Sequence, residues 1–434
     1  MKFYSTNNPA HIVSAKQAIM TGLAPDRGLY MPVEIPQLPA SFFEALKEKS
    51  FNEIAIDISK LFFADEIENN EIENLINQAF DFTAPIKQID QNLFALELFH
   101  GPTLAFKDFA AHFMAQIIAY YRKGEKNTLN ILVATSGDTG GAVANGFHNV
   151  EGISVTILYP QGKVSPLQEK QLTTLGGNVR AIEVAGTFDD CQALVKEAFL
   201  DKDVNSKLEL TSANSINIAR LIPQSFYYLS AVSQLQKLGV KADPIFCVPS
   251  GNFGDLCAGV LASKLGMKVE KFIAANNSND PVVRYLESGK FEPRQTIATI
   301  SNAMDVGNPN NFPRLLELYG KSLEQLREHV LGASFNDQQT RAEIKNIYNK
   351  YNYIVDPHTA VGFLGVEKYQ TLHNSEAKVV LATAHPVKFT ETMEEVLPGK
   401  VTIPEKLEGL MKKQKSATSM PVSYENFKDF LLNN

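Results

Sequence analysis

Residues 100 to 108 read HGPTLAFKD and set one lysine, Lys107, among Leu104, Ala105, Phe106, Phe109, Ala110 and Ala111. Apolar neighbours strip water from an ammonium and disfavour its charged form. The run that follows, DFAAHFMAQIIAYYR, has helical periodicity, so Lys107 also stands at a helix N-terminus with its partial positive charge. Both effects push the amine's pKa down, and a lysine that is partly neutral near pH 7 can form a Schiff base and act as a base. The ordinary alternative is a lysine whose stem runs along apolar surface to reach water. That alternative is weakened here, because helix entries favour Ser, Thr, Asp, Asn or an acid, and a cation there needs another reason.

Three further stretches place small polar residues where apolar runs end. In ATSGDTGGAVANGF, residues 134 to 147, the run NILVA gives way to Thr135, Ser136, Gly137, Asp138 and Thr139 before a helix; backbone N–H groups at such a turn favour an anion. A plain turn capped by Asp138 or Thr139 is the competing reading. In CVPSGNFGDLCAG, residues 247 to 259, Gly251 and Gly254 let a ligand approach the backbone, while Asn252, Phe253 and Asp255 add N–H groups suited to a phosphate. This loop matches neither the Walker pattern nor the dinucleotide fingerprint. In VVLATAHPVKF, residues 379 to 389, the run ends at Thr383, Ala384, His385 and Pro386, and a hydroxyl at such an end is usually satisfied by backbone. A fourth stretch, SANSINIARLIPQ at 212 to 224, brings Asn214, Ser215 and Arg220 to the entry and first turns of an apolar helix. They could converge on a dianion there, Arg220 offering a planar fork of donors; alternatively Asn214 or Ser215 caps the helix and Arg220 lies on its wet face. A reactive lysine, a phosphate cradle and an anion-binding turn together suggest pyridoxal phosphate and an amino-acid substrate.

The elements that must hold these residues are short apolar runs alternating with helical ones. NLFALELF, NILVAT, ISVTILYP, VRAIEVA, PIFCVPS, KFIAAN and AKVVLATA read as buried strands. They are separated by segments such as SPLQEKQLTTL and the long helix SINIARLIPQSFYYLSAVSQLQKL. That alternation predicts α/β layers with mostly parallel sheets, in which ligands bind at the carboxyl ends of strands. Residues 1 to 90 read instead as turns and amphipathic helices, including PDRGLYMP, SFFEALKEK and EIENLINQAF, with a packing role for their phenylalanines. The expected division is an N-terminal extension over 1–90, a first α/β lobe over 91–240 and a second over 241–434. The stretch 290–375 reads as packing material whose Asn-Pro and Phe-Pro turns could edge the site.

Composition narrows the class. The chain has 434 residues, 44% of them hydrophobic and 21% charged, which is ordinary for a globular protein of two or three domains. A net charge of -7 argues against a nucleic-acid partner. The N-terminus lacks an apolar stretch suited to a signal peptide and no window approaches a membrane span, so a cytoplasmic protein is expected. Cys191, Cys247 and Cys257 have no metal-ligand spacing and fit reduced core thiols.

In this order along the chain, PDRGLY, HGPTLAFKD, ATSGDTGG, SANSINIARLIPQ, VPSGNFGD and ATAHPVKF resemble the threonine synthase family in its longer form. The resemblance implies a two-lobed fold like the tryptophan synthase β subunit (fold type II of the pyridoxal-phosphate enzymes) with an N-terminal helical extension. It also implies conversion of O-phospho-L-homoserine and water to threonine and phosphate. By resemblance, Lys107 binds pyridoxal phosphate covalently and serves as the base. Gly251, Asn252, Phe253, Gly254 and Asp255 hold the cofactor phosphate, and Thr383 faces the pyridine nitrogen. Thr135, Ser136, Gly137 and Thr139 meet the substrate carboxylate or phosphate, and Asn214, Ser215 and Arg220 grip the leaving phosphate. Asp138 departs from the asparagine that many relatives of this fold place beside the cofactor's phenolic oxygen. No metal is implied, and the protein is expected as a monomer or homodimer. Alternatives are a serine or threonine dehydratase, a cysteine synthase-like enzyme, or a noncatalytic protein that binds pyridoxal phosphate or a phosphorylated metabolite.

Overall fold

The computed structural model describes residues 1–369 and 377–433, so residues 370–375 of the stretch 290–375 lie outside the described residues. The N-terminal unit contains a small antiparallel sheet that the sequence reading did not anticipate: β1 (Lys2–Ser5), β2 (Ile12–Ser14) and β3 (Tyr30–Pro32), in the order β2-β1-β3. The PDRGLY turn enters β3 with Asp26 accepting hydrogen bonds from Ser5 Oγ and the Gly28 amide. Two amphipathic helices follow at Phe51–Phe63 and Asn69–Ala79, the first opened by a capping box between Ser50 and Glu53.

Two larger sheets carry the rest. After β4 (Ile86–Asp90) and β5 (Leu93–Glu97) comes a run of four strands, β6 (Leu129–Ala134), β7 (Ile153–Pro160), β8 (Val179–Val184) and β9 (Glu209–Ser212). The chain then returns through β10 (Ile245–Pro249), β11 (Lys271–Asn276), β12 (Val330–Ser334) and β13 (Lys378–Ala382), and ends with β14 (Thr418–Met420). One sheet has the order β12-β11-β10-β13-β5-β4, parallel except for β4; the other has the order β14-β8-β7-β6-β9 and is parallel throughout. All seven apolar runs singled out as strands are strands, buried on both faces as helix-covered parallel sheets require.

Strand pairing does not follow a division at residue 240. β5 lies in one sheet with β10 to β13, whereas β6 to β9 form the other together with β14 from near the C-terminus, so the chain passes between the two sheets more than once. Sequence order shows which runs are strands, but long-range pairing decides which sheet each joins. The long helix expected over residues 215–238 is also divided, into Ile218–Leu221 and Gln224–Lys237. Pro223 breaks it because it has no N–H to donate and its ring crowds the preceding turn. Gln224 Nε2 donates to the Arg220 carbonyl at 2.7 Å at the break.

An aromatic cluster locks the N-terminal unit to the helix Lys107–Tyr121. Phe109 packs 4.9 Å from Phe82, 5.3 Å from Phe51 and 5.9 Å from Phe80, ring centre to ring centre. The first turn of the lysine helix is thereby held in the core, which bears out the packing role read for these phenylalanines. Cys191, Cys247 and Cys257 are free and buried, and burial pushes all three thiols up, as reduced core thiols require.

Candidate active site

Lys107 is the first residue of its helix, and the segment before it is unusually constrained. Leu104 sits in the left-handed region at φ 61°, a costly conformation for a branched side chain that only surrounding contacts sustain. Those contacts are backbone bonds to the end of β13: Phe106 N–H donates to Thr383 O at 2.8 Å, and His385 N–H to Leu104 O at 3.1 Å. Asp108, fully buried, accepts from the Thr103 amide at 2.9 Å and from the Thr103 hydroxyl. Lys107 and Thr383 are thus carried on one rigid piece of backbone.

The Lys107 side chain is 16% exposed, lies against the Phe106 ring and places Nζ 3.8 Å from Asp138 Oδ2. Burial lowers its pKa; Asp138 opposes that shift, while the charges of Lys388 and Arg220 add to it. Asp138 opens the helix Asp138–Gly146 and also bonds Gln168 Nε2 at 2.8 Å and Lys388 Nζ at 2.9 Å. Burial alone would raise its pKa, but Lys388, then Lys107, hold it well below the usual carboxylate range.

One cleft gathers nearly all the sequence-derived residues. Lys107, Thr135, Ser136, Asp138, Thr139, Asn214, Ser215, Arg220, Gly251, Asn252, Phe253, Gly254, Asp255 and Thr383 line it. Gly137 does not: it is the N-cap at φ 132°, and its amide donates to Thr135 Oγ1 at 3.0 Å. Thr135 Oγ1 takes the Gly140 amide as well, at 2.8 Å, so this hydroxyl shapes the turn. Asn214 spends its Nδ2 on the Ala134 carbonyl at 3.0 Å, tying the segment 212–224 to the end of β6.

Arg220 is 2% exposed, so the wet-face reading of it is set aside. Its Nη1 donates to the Ala213 carbonyl at 2.6 Å and its buried Nε has no partner. Burial lowers the guanidinium pKa to about 10 against the pull of Asp108, so it stays cationic at neutral pH. Asp255, also buried, is raised by burial to about 7; the Leu256 amide on Oδ1 and the charge of Lys107 restrain the rise.

Of the two reasons for a glycine at 254, a positive φ or room for a phosphate, the backbone does not use the first. Phe253 takes the left-handed conformation at φ 61°, and the helix Gly254–Lys264 begins after it. Gly251 is needed for close packing, since a Cβ there would fall 2.6 Å from Met304 Cα. A Cβ on Gly254 would meet nothing nearer than Asn311 Nδ2 at 3.5 Å and Ser215 Cβ at 3.8 Å. The protein's own packing therefore does not demand glycine at 254, and the space in front of the helix N-terminus is left open. The Asn311 Nδ2 is fully buried and without a partner, an orphaned donor beside the same cradle. A phosphate cradle, a desolvated lysine and a strand-end hydroxyl fit pyridoxal phosphate.

Several cleft residues escaped the sequence reading. Asn302, Ala303, Met304, Asp305 and Val306 form one wall, just before the Asn-Pro turn of the 290–375 stretch. His358 holds that wall: Nδ1 bonds Asp356 Oδ2 at 2.6 Å and Nε2 accepts the Ala303 amide at 3.1 Å. Lys388 and Gln168 were missed too. Lys388 stands in an apolar run after a strand end, HPVKF, the same anomaly that drew attention to Lys107, and could have been found by it.

The parallel sheets and this cleft define a pyridoxal-phosphate enzyme of fold type II, and the family model described as "Pyridoxal-phosphate dependent enzyme" matches residues 79–384. Models for "Threonine synthase N terminus" and "Threonine synthase, C-terminal" match residues 2–80 and 359–431. Threonine synthase of Serratia marcescens is 42% identical over 433 residues, covering 100% of this chain and 99% of its own. That of Escherichia coli K12 is 43% identical over 407 residues, 94% of either chain. The crystal structure of the Escherichia coli enzyme superposes with a TM-score of 0.93 at 40% identity, covering 100% of both chains. A pyridoxal-phosphate-bound threonine synthase from Brucella melitensis gives 0.92 at 35% identity, over 100% of this chain and 99% of its own. The chain belongs to the threonine synthase family.

Proposed function

We propose that the chain converts O-phospho-L-homoserine and water to L-threonine and inorganic phosphate. The observation that carries this reading is Arg220, a buried guanidinium with an unpartnered Nε–H in the same cleft as Lys107 and separate from the glycine loop. An amino-acid substrate with its own phosphate needs two anion sites besides a carboxylate site. A dehydratase or cysteine synthase has no use for the second.

Lys107 would hold pyridoxal phosphate covalently, the N–H groups of the loop Gly251 to Asp255 would take its phosphate, and Thr383 would offer a hydroxyl to its ring nitrogen. Bound there, the cofactor supplies an electron sink for carbanions next to the substrate amine. Lys107, its amine made less basic by burial, takes the proton from the α-carbon and then serves the γ- and β-carbons as proton carrier. Ser136 and Thr139 hold the substrate carboxylate at the start of the helix Asp138–Gly146, whose dipole favours an anion. Asn214, Ser215 and Arg220 hold the phosphate as it leaves the γ-carbon and stabilise the charge it carries away. Water then adds at the β-carbon.

No helix among the described residues is long and apolar enough to cross a membrane. The proposal extends to a cytoplasmic enzyme, monomeric or homodimeric, without a nucleic-acid partner; the net charge of -7 supports the last point. The decisive assay is phosphate release from O-phospho-L-homoserine with the amino-acid product identified. Threonine is expected in equal amount to phosphate. Ammonia and a 2-oxo acid from serine or threonine, without that release, would instead establish a dehydratase.

A further inference from the structure

Lys388 has no part in the scheme above, yet its side chain is entirely buried beside that of Lys107, which is 16% exposed. It belongs to the short turn Pro386–Phe389 and spends its three donors on the Thr103 carbonyl (2.7 Å), Gln171 Oε1 (3.0 Å) and Asp138 Oδ1 (2.9 Å). Asp138 is thus shared: Oδ1 goes to Lys388 and Gln168, and Oδ2 faces Lys107. Two lysine side chains flank one buried carboxylate.

That count matters for a lysine that must give and take protons. A lone buried carboxylate 3.8 Å from Nζ would hold the proton on Lys107, since opposite charges at such distances favour the charged form strongly. We propose that Lys388 is a positioning residue for Lys107: it occupies one oxygen of Asp138 and takes up its charge, so that Asp138 can orient the reactive amine without locking its proton in place. The arrangement answers why an aspartate can stand at 138 at all. An uncompensated anion there would work against the base, whereas the pair of Asp138 with Lys388 is neutral and still aims an oxygen at Nζ. The direction of the effect on Lys107 agrees, because the charge of Lys388 lowers its pKa. The other charged groups facing Lys107 are Arg220, which lowers it further, and Asp255, which raises it; Lys388 itself also faces Asp108.

The inference rests on Lys107 being the cofactor lysine, and its test separates the two. In the loaded protein, the pH midpoint of the change in the visible band reports the proton on the Lys107 nitrogen. Lys388→Gln keeps a donor for the Thr103 carbonyl and removes the charge. Its midpoint should rise by about one pH unit. The double variant Lys388→Met with Asp138→Asn removes both charges, and because the nearer one is Asp138, its midpoint should fall below that of the unaltered protein. A merely structural lysine would change cofactor retention or melting temperature and leave both midpoints where they were. A midpoint in Lys388→Gln that is unmoved or lower overturns the proposal; if that variant does not fold, an unmoved or higher midpoint in the double variant does so. In apo-protein, the pH dependence of Lys107 labelling by an amine-directed reagent should move in the same directions. That arm holds even if borohydride reduction of the loaded protein marked another lysine, a result that would sink the attachment of the cofactor to Lys107 alone.

Discussion

Replacing Arg220 by alanine tests the substrate assignment most directly. Nη1 is already committed to the Ala213 carbonyl, whereas the buried Nε–H has no protein partner. One charge-assisted hydrogen bond is worth about 1.5 to 3 kcal/mol, and each 1.4 kcal/mol is tenfold, so kcat/KM for O-phospho-L-homoserine should fall about tenfold to 150-fold. Loss of the bond to Ala213 leaves a buried carbonyl unpaired, which costs on the order of 1 to 3 kcal/mol of stability and appears as a lower melting temperature. These two effects are separable. The assay compares phosphate release with the slow turnover of serine or vinylglycine, which carry no phosphate, after confirming equal cofactor content. The reasoning predicts that the loss is confined to the phosphorylated substrate. Equal losses in both reactions would make Arg220 a structural residue and remove the argument for a phosphate site.

Lys107→Ala should lower threonine formation by many orders of magnitude, since one amine serves as attachment point and proton carrier; borohydride reduction followed by peptide mapping should mark Lys107 in the unaltered protein. Gly254→Val should weaken cofactor retention at least about tenfold while the apo-protein melts within a few degrees of normal, because a Cβ there meets only Asn311 and Ser215 at ordinary distances. Cofactor affinity equal to normal would place the phosphate elsewhere. Asp255 provides a pH signature: its folded pKa of about 7 lies above the unfolded value of 3.8, so the stability it contributes is complete below about pH 4 and is lost as pH rises through 7. The loss is bounded by roughly 4 kcal/mol; denaturant titration of apo-protein should show that decline between pH 4 and 7, and Asp255→Asn should flatten it.

Much of this was legible because the informative residues are locally anomalous. Lys107 among alanines and phenylalanines, glycines at strand ends and apolar runs of strand length each violate or satisfy a rule that operates over a few residues. What escaped depends on distant partners. Which sheet each strand joins is decided by pairings such as β5 with β13 and β8 with β14, which no local pattern encodes. β12, VLGAS, carries a glycine and few branched residues, so it does not announce a strand, and β11 offers it an edge to pair with. The division at Pro223 was readable from the proline alone and was overridden by the apolar period on either side. His358 and the 302–306 wall were hidden for a different reason: the histidine's role lies in one hydrogen bond to a backbone amide far away in sequence.

The pairing of β5 with β13 also dictates when the site can exist during synthesis. Thr103 and Lys388 meet across a sequence separation of 285. β6 to β9 emerge together and can pair among themselves, but β5 must wait for β13, and closing so long a loop is slow. A chain synthesised only as far as residue 377 contains every sequence-derived cleft residue except Thr383, with the β13-facing edge of β5 unpaired. Such a chain presents an apolar strand edge to its neighbours, the kind of surface on which aggregates nucleate. Reactivity and protection of that edge therefore arrive in the same event.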